Sequence, residues 1–190
     1  MKTVFVFLIT ASITISCGQN EADKSQNQDQ NQSEEEVQAD IQASTKIRKG
    51  QKVPEFDFRT TENQRYSINE LRGKVVLLTF FATWCPTCQK EMPALQNRVW
   101  DQYGDNQDFF MVGIGREQDM NKMKEFKEKN GYDFHFAPDT GRVIYNKFAG
   151  KYIPRNVVVD SRGTIVYQGT GYDEKTIINI LKLLEKELNN

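Results

Sequence analysis

Val75-Val76-Leu77-Leu78-Thr79-Phe80-Phe81-Ala82-Thr83-Trp84-Cys85-Pro86-Thr87-Cys88 decides how this chain is read. The run from Val75 to Phe81 is almost continuously apolar, the pattern of a strand covered on both faces. Two of the three cysteines follow it, separated by two residues. That spacing at the start of a helix brings both sulfurs within disulfide reach. It also puts Cys85 at the positive end of the helix dipole, beside backbone N–H groups that have no partner in the helix. Both effects favour thiolate, the attacking species in disulfide exchange. The residues therefore predict a redox-active dithiol with Cys85 as nucleophile and Cys88, one turn further in, as resolving thiol.

Working outward, Phe109-Phe110-Met111-Val112-Gly113-Ile114 predicts a second buried strand, and residues 119 to 130 a helix stopped by Gly131. Residues 132–136 are expected as a short strand and 141–148 as a short helix. Ser67-Ile68-Asn69-Glu70 has the form of a capping box opening a single turn. Val53, Phe56 and Phe58 suggest an extended segment after Pro54. The runs 156–160 and 164–168 flank Ser161-Arg162-Gly163 as a hairpin. A last helix is expected to start on Asp173 as N-cap, with Ile177, Leu181, Leu184 and Leu188 as its apolar stripe. The order βαβαβαββα predicts an α/β domain over residues 46–190 with a mixed central sheet whose last pair is antiparallel.

The chain has 190 residues and a formal net charge of -1, so nothing in its charge suggests a nucleic-acid partner. Three cysteines are too few for a disulfide-stapled scaffold. Residues 1–16 read as an export signal, with Lys2 followed by an apolar stretch too short to span a bilayer, which takes about 20 residues. Thr14-Ile15-Ser16-Cys17 resembles a bacterial lipobox, which makes Cys17 the expected lipidation site, although Thr14 stands where an aliphatic residue is usual. The alternative is a plain secretory signal in which Cys17 has no role. Residues 17–45 follow as a polar stretch without aromatics, expected as a disordered tether with a reach of roughly 30 Å.

Leu77 through Pro93 together resemble the thioredoxin superfamily, and in detail the exported thiol-disulfide oxidoreductases of the TlpA/ResA type. The lead-ins Gly50-Gln51-Lys52-Val53-Pro54-Glu55-Phe56 and Leu71-Arg72-Gly73-Lys74-Val75-Val76 share the resemblance, which covers roughly residues 48–188. It implies a thioredoxin-like fold with an inserted strand and helix, matching the 109–136 region. It implies that Pro93 kinks the dithiol helix. It also implies that Glu91 manages a proton as Cys88 is deprotonated, and that Pro154 is a cis-proline facing the dithiol and positioning the Ile153 backbone for an extended substrate. Trp84 is expected to shield the dithiol and shape the docking face.

Thr79 stands where cytosolic thioredoxins carry a buried aspartate, and Pro86-Thr87 is neither Gly-Pro nor Pro-His. The direction of electron flow is therefore open on sequence. The implied activity is thiol-disulfide exchange on exported proteins, apocytochrome c among them, in the bacterial cell envelope, recharged by a membrane donor if reductive. No cofactor beyond the dithiol is expected. Zinc would need four ligands, and only Cys85, Cys88 and the single His135 are at hand; His135 is read as structural. A peroxiredoxin-type peroxidase is the alternative enzyme class, but Leu78 and Ala82 occupy the positions where that class needs proline and a hydroxyl. A non-catalytic binding module is the third class.

Overall fold

A computed structural model describes residues 34–189. The described residues fall into two units, 34–39 and 40–189. In the first, residues 34–39 are helical; in the second, so are residues 40–44. This corrects the expectation of a tether through residue 45: its final stretch is rich in Glu, Gln and Ala, all good helix formers. The signal, Cys17 and the rest of the expected tether lie outside the described residues.

The second unit is built on a five-stranded sheet. Its strands are β3 (Val75–Phe81), β4 (Phe109–Arg116), β5 (His135–Asp139), β6 (Arg155–Val159) and β7 (Ile165–Thr170). Their order across the sheet is β5-β4-β3-β6-β7. β3, β4 and β5 run parallel; β6 is antiparallel to β3, and β7 to β6. A separate hairpin pairs β1 (Asp57–Arg59) with β2 (Arg65–Ser67). The helices are α1 (Pro86–Ala94), α2 (Met120–Asn130), α3 (Tyr145–Phe148) and α4 (Glu174–Leu188).

β3 is the central strand and every one of its residues is buried. Alternation sorts its side chains between two cores. Val76, Leu78 and Phe80 join Phe56, Phe58, Ile68, Tyr145 and Phe148 on one face. Val75, Leu77 and Phe81 join Cys88, Met92, Leu95, Met123, Ile177 and Leu184 on the other. The dithiol helix α1 thus shares a face with α2 and α4. Packing of α2 on this face depends on Gly115, where a Cβ would lie 2.3 Å from the Met123 sulfur.

The local signals act as the residues predict. Ser67 and Glu70 close a capping box over a one-turn 3₁₀ helix, Ile68–Leu71. Asp119 caps α2 through the Lys122 N–H, and Gly131 ends it with φ at 65°, a left-handed conformation favoured in glycine. Asp173 caps α4. Pro93 sits inside α1 and has no N–H to continue the ladder; the helix answers not with a sharp break but with a π-helical stretch, Leu95–Trp100. Two elements are displaced by three residues or more at an end, and one strand was not expected. The strand expected at 132–136 is β5, three residues later; the helix expected over 141–148 is confined to Tyr145–Phe148; and β2 has no counterpart in the sequence reading.

Candidate active site

The dithiol lies where β3 ends and α1 begins, at the carboxyl edge of the parallel strands. Cys85 is the N-cap of α1, and Pro86 follows it at the first helical position. Proline suits that place because its missing N–H has no helical partner there in any case. Cys85 and Cys88 form a disulfide with their Cα atoms 5.2 Å apart. The Cys85 sulfur accepts the Cys88 backbone N–H at 3.2 Å, one of the orphan donors of the helix start. Cys85 is 5% exposed and Cys88 fully buried, so an approaching sulfur reaches Cys85 first.

Beside the sulfurs stands the loop between α3 and β6. Its Ile153–Pro154 peptide bond is cis. The Cys85 sulfur lies 3.9 Å from the Ile153 carbonyl oxygen. The resemblance alone implied this placement, and the fold brings the two segments together across 68 residues of sequence. Trp84 flanks the pair on the surface and is 58% exposed. The Arg116 guanidinium lies 5.5 Å from its ring centroid, within cation–π range.

Beneath the dithiol the apolar core holds a buried polar pair. Glu91 lies two turns into α1 and is fully buried. Its Oε1 accepts the Asn156 side-chain N–H at 2.6 Å. Burial pushes its carboxyl up to about 8, against the smaller opposing pull of the Asn156 bond. Tyr167 on β7 is likewise raised, first by burial and then by the Glu91 charge. Thr79 and Asn156 are cross-strand partners on the face that α1 covers. The composition signal for Asn156 was present, a buried amide in the otherwise apolar run Val157-Val158-Val159. Its contact with Glu91 was not, because it joins residues 65 positions apart.

His135 is outside this site. It stacks on Phe110 at 4.8 Å, and its Nδ1 is 3.6 Å from Glu62. Burial pulls its pKa down. Among the described residues no group of three or more His, Cys, Asp or Glu side chains is placed to hold a metal ion.

A Redoxin family profile matches residues 48–184. The chain belongs to the Redoxin family. It is a ResA-like thiol-disulfide oxidoreductase of the thioredoxin superfamily. Thiol-disulfide oxidoreductase ResA of Bacillus thuringiensis is 28% identical over 130 residues, covering 68% of this chain and 74% of that one. ResA of Bacillus subtilis is 26% identical over 133 residues, covering 70% and 73%. A solution structure from Bacteroides thetaiotaomicron, assigned provisionally as a protein disulfide isomerase, superposes with a TM-score of 0.74. That protein is 32% identical, and the match covers 77% of this chain and 94% of its own.

Proposed function

We propose that this Redoxin-family chain is an exported, lipid-anchored reductant of disulfides in other exported proteins. One observation carries the exchange chemistry: the more accessible sulfur, Cys85, caps a helix and sits against the backbone next to a cis-proline. The reductive direction rests on the resemblance to ResA-type proteins, and the anchor on the lipobox resemblance at Cys17. In the reduced protein, the Cys85 thiolate attacks one sulfur of a substrate disulfide. A mixed disulfide forms and the substrate's other sulfur leaves as a thiolate. Cys88 then gives up its proton and attacks the Cys85 sulfur. The Cys85–Cys88 disulfide forms, the second substrate thiolate leaves, and two electrons have passed to the substrate.

Glu91 is the group we assign to the Cys88 proton. It lies on the next turn of the same helix, and burial raises its pKa to about 8, far closer to the thiol range than an ordinary carboxylate's. Ile153 and Pro154 present the backbone on which an extended substrate pairs, and Trp84 shields the sulfurs and forms the docking rim. Cys17 is the anchor. No helix among the described residues is long and apolar enough to cross a membrane. The resemblance to ResA-type proteins supports the cysteines of apocytochrome c haem sites as substrates, on the outer, periplasm-facing side of a bacterial membrane. That compartment is oxidising, so a membrane thiol donor must return two electrons to the disulfide after each turnover.

Thiol trapping in intact cells tests the direction. Acid quenching followed by alkylation should find Cys85 and Cys88 mostly reduced while the donor is active. A mostly oxidised pair under the same conditions would overturn the reductive reading in favour of an oxidase.

A further inference from the structure

The loop that carries Ile153 and Pro154 is held from outside by a segment that precedes the Redoxin match. Gly150 N–H donates to the Ser44 carbonyl at 2.8 Å, and Lys46 N–H to the Phe148 carbonyl at 2.9 Å. Lys46 Nζ reaches the Asn146 carbonyl at 2.8 Å. Asp40 is the outermost of these ties. Both its carboxylate oxygens lie 3.1 Å from Lys151 Nζ, and it accepts the Tyr152 hydroxyl. These contacts hold the Asp40 carboxyl below its usual range, the Tyr152 bond first.

Two features make this tie consequential. Tyr152 has φ at 67°, left-handed for a non-glycine residue, and it immediately precedes Ile153. Such a conformation persists only where its surroundings enforce it. Asp40 grips the end of that side chain from outside, while the Tyr145 hydroxyl reaches the Lys151 and Tyr152 carbonyls from inside. Arg155, just past Pro154, is fully buried. Its Nη1 donates to Thr45 Oγ1 at 3.1 Å and Gln168 Oε1 at 2.7 Å, and among the described residues no carboxylate pairs with it. Residue 45 therefore supplies one of the few partners of a buried cation beside the docking backbone.

We propose that residues 40–46 form a strap that sets the Ile153 docking backbone, with Asp40 as its positioning residue. The inference deepens the proposed function and rests on its reading of Ile153 as the docking backbone. An extended polypeptide disulfide pairs with that backbone, so its capture depends on the strap. A small alkylating reagent meets only the Cys85 sulfur and does not.

The test uses the full chain and its Asp40→Ala and Tyr152→Phe variants. Steady-state reduction of insulin gives KM and kcat, and iodoacetamide gives the alkylation rate of reduced Cys85. Each variant should raise KM for insulin about two- to fivefold, the scale of an exposed charge-assisted contact, with kcat and alkylation within about twofold of the parent. Hydrogen exchange supplies an arm independent of any substrate: the Gly150 amide should exchange faster in Asp40→Ala. An unchanged KM in both variants, an unchanged Gly150 exchange rate, or alkylation falling in step with kcat would overturn the strap. Turnover of the parent chain that survives Cys85→Ser would instead sink the function reading, and the exchange arm would still judge the strap.

Discussion

Cys85→Ser abolishes insulin reduction and leaves the fold intact. The serine oxygen has no sulfur to exchange, so no mixed disulfide forms and turnover falls to the uncatalysed background. Misfolding does not provide a rival explanation. The lost disulfide closes a loop of only four residues, Cys85 to Cys88, and on the chain-entropy scale that is worth about 2 kcal/mol of the oxidised protein's stability. The side chain sits at the rim of its core at 5% exposure, and serine retains an acceptor for the Cys88 N–H. Circular dichroism and a urea titration should therefore overlay those of the reduced parent closely, while the activity trace is flat. Measurable Cys85→Ser turnover would contradict the assignment of the nucleophile.

Glu91→Gln should remove most of a pH dependence that the parent chain shows. The Glu91 pKa is raised by burial from 4.5 to about 8. Below pH 4.5 the carboxyl is protonated in both the folded and the unfolded chain, and its full contribution is present. Between 4.5 and 8 the unfolded chain gives up the proton while the folded chain keeps it, so the unfolded state binds fewer protons and stability falls as pH rises. At 1.36 kcal/mol per pKa unit the loss reaches an upper bound of about 4–5 kcal/mol across that window. Glutamine keeps an oxygen for Asn156 and cannot ionise. Urea midpoints of the oxidised proteins between pH 5 and 8 should slope downward for the parent and run nearly flat for the variant. If Glu91 takes the proposed role, the same variant should slow the resolution step above about pH 8, where the carboxylate is ionised and can accept the Cys88 proton. Parallel slopes for the two proteins would remove Glu91 from the proton pathway.

The fold was legible where one local cause dominates. Val75 to Phe81 reads as a strand because both sheet faces are covered and no polar alternation is needed. Asp119, Gly131 and Asp173 mark helix ends because capping chemistry is local. β2 escaped because Arg65-Tyr66-Ser67 is a three-residue edge segment with no apolar alternation, held by its partner rather than by its own pattern. The helical residues 40–44 escaped because the polarity of the whole stretch masked their helix propensity.

The candidate site divides along the same line. Cys85, Cys88 and Trp84 are contiguous and were readable as a unit. Pro154 could be placed only through the family resemblance, since nothing in the Ile153-Pro154 dipeptide itself marks a cis bond. Asn156 on Glu91 and Asp40 on Tyr152 join residues 65 and 112 positions apart. Pairs of that kind are created by the topology, and no spacing within the sequence announces them.

The most direct test of the central claim is to mix purified, reduced Cys88→Ser protein with insulin and map the product by mass spectrometry. With the resolving thiol gone, the account predicts accumulation of a mixed disulfide between Cys85 and an insulin cysteine, released by dithiothreitol and absent from the Cys85→Ser/Cys88→Ser double variant. Failure of Cys88→Ser to form any adduct, or an adduct that persists without Cys85, would contradict it.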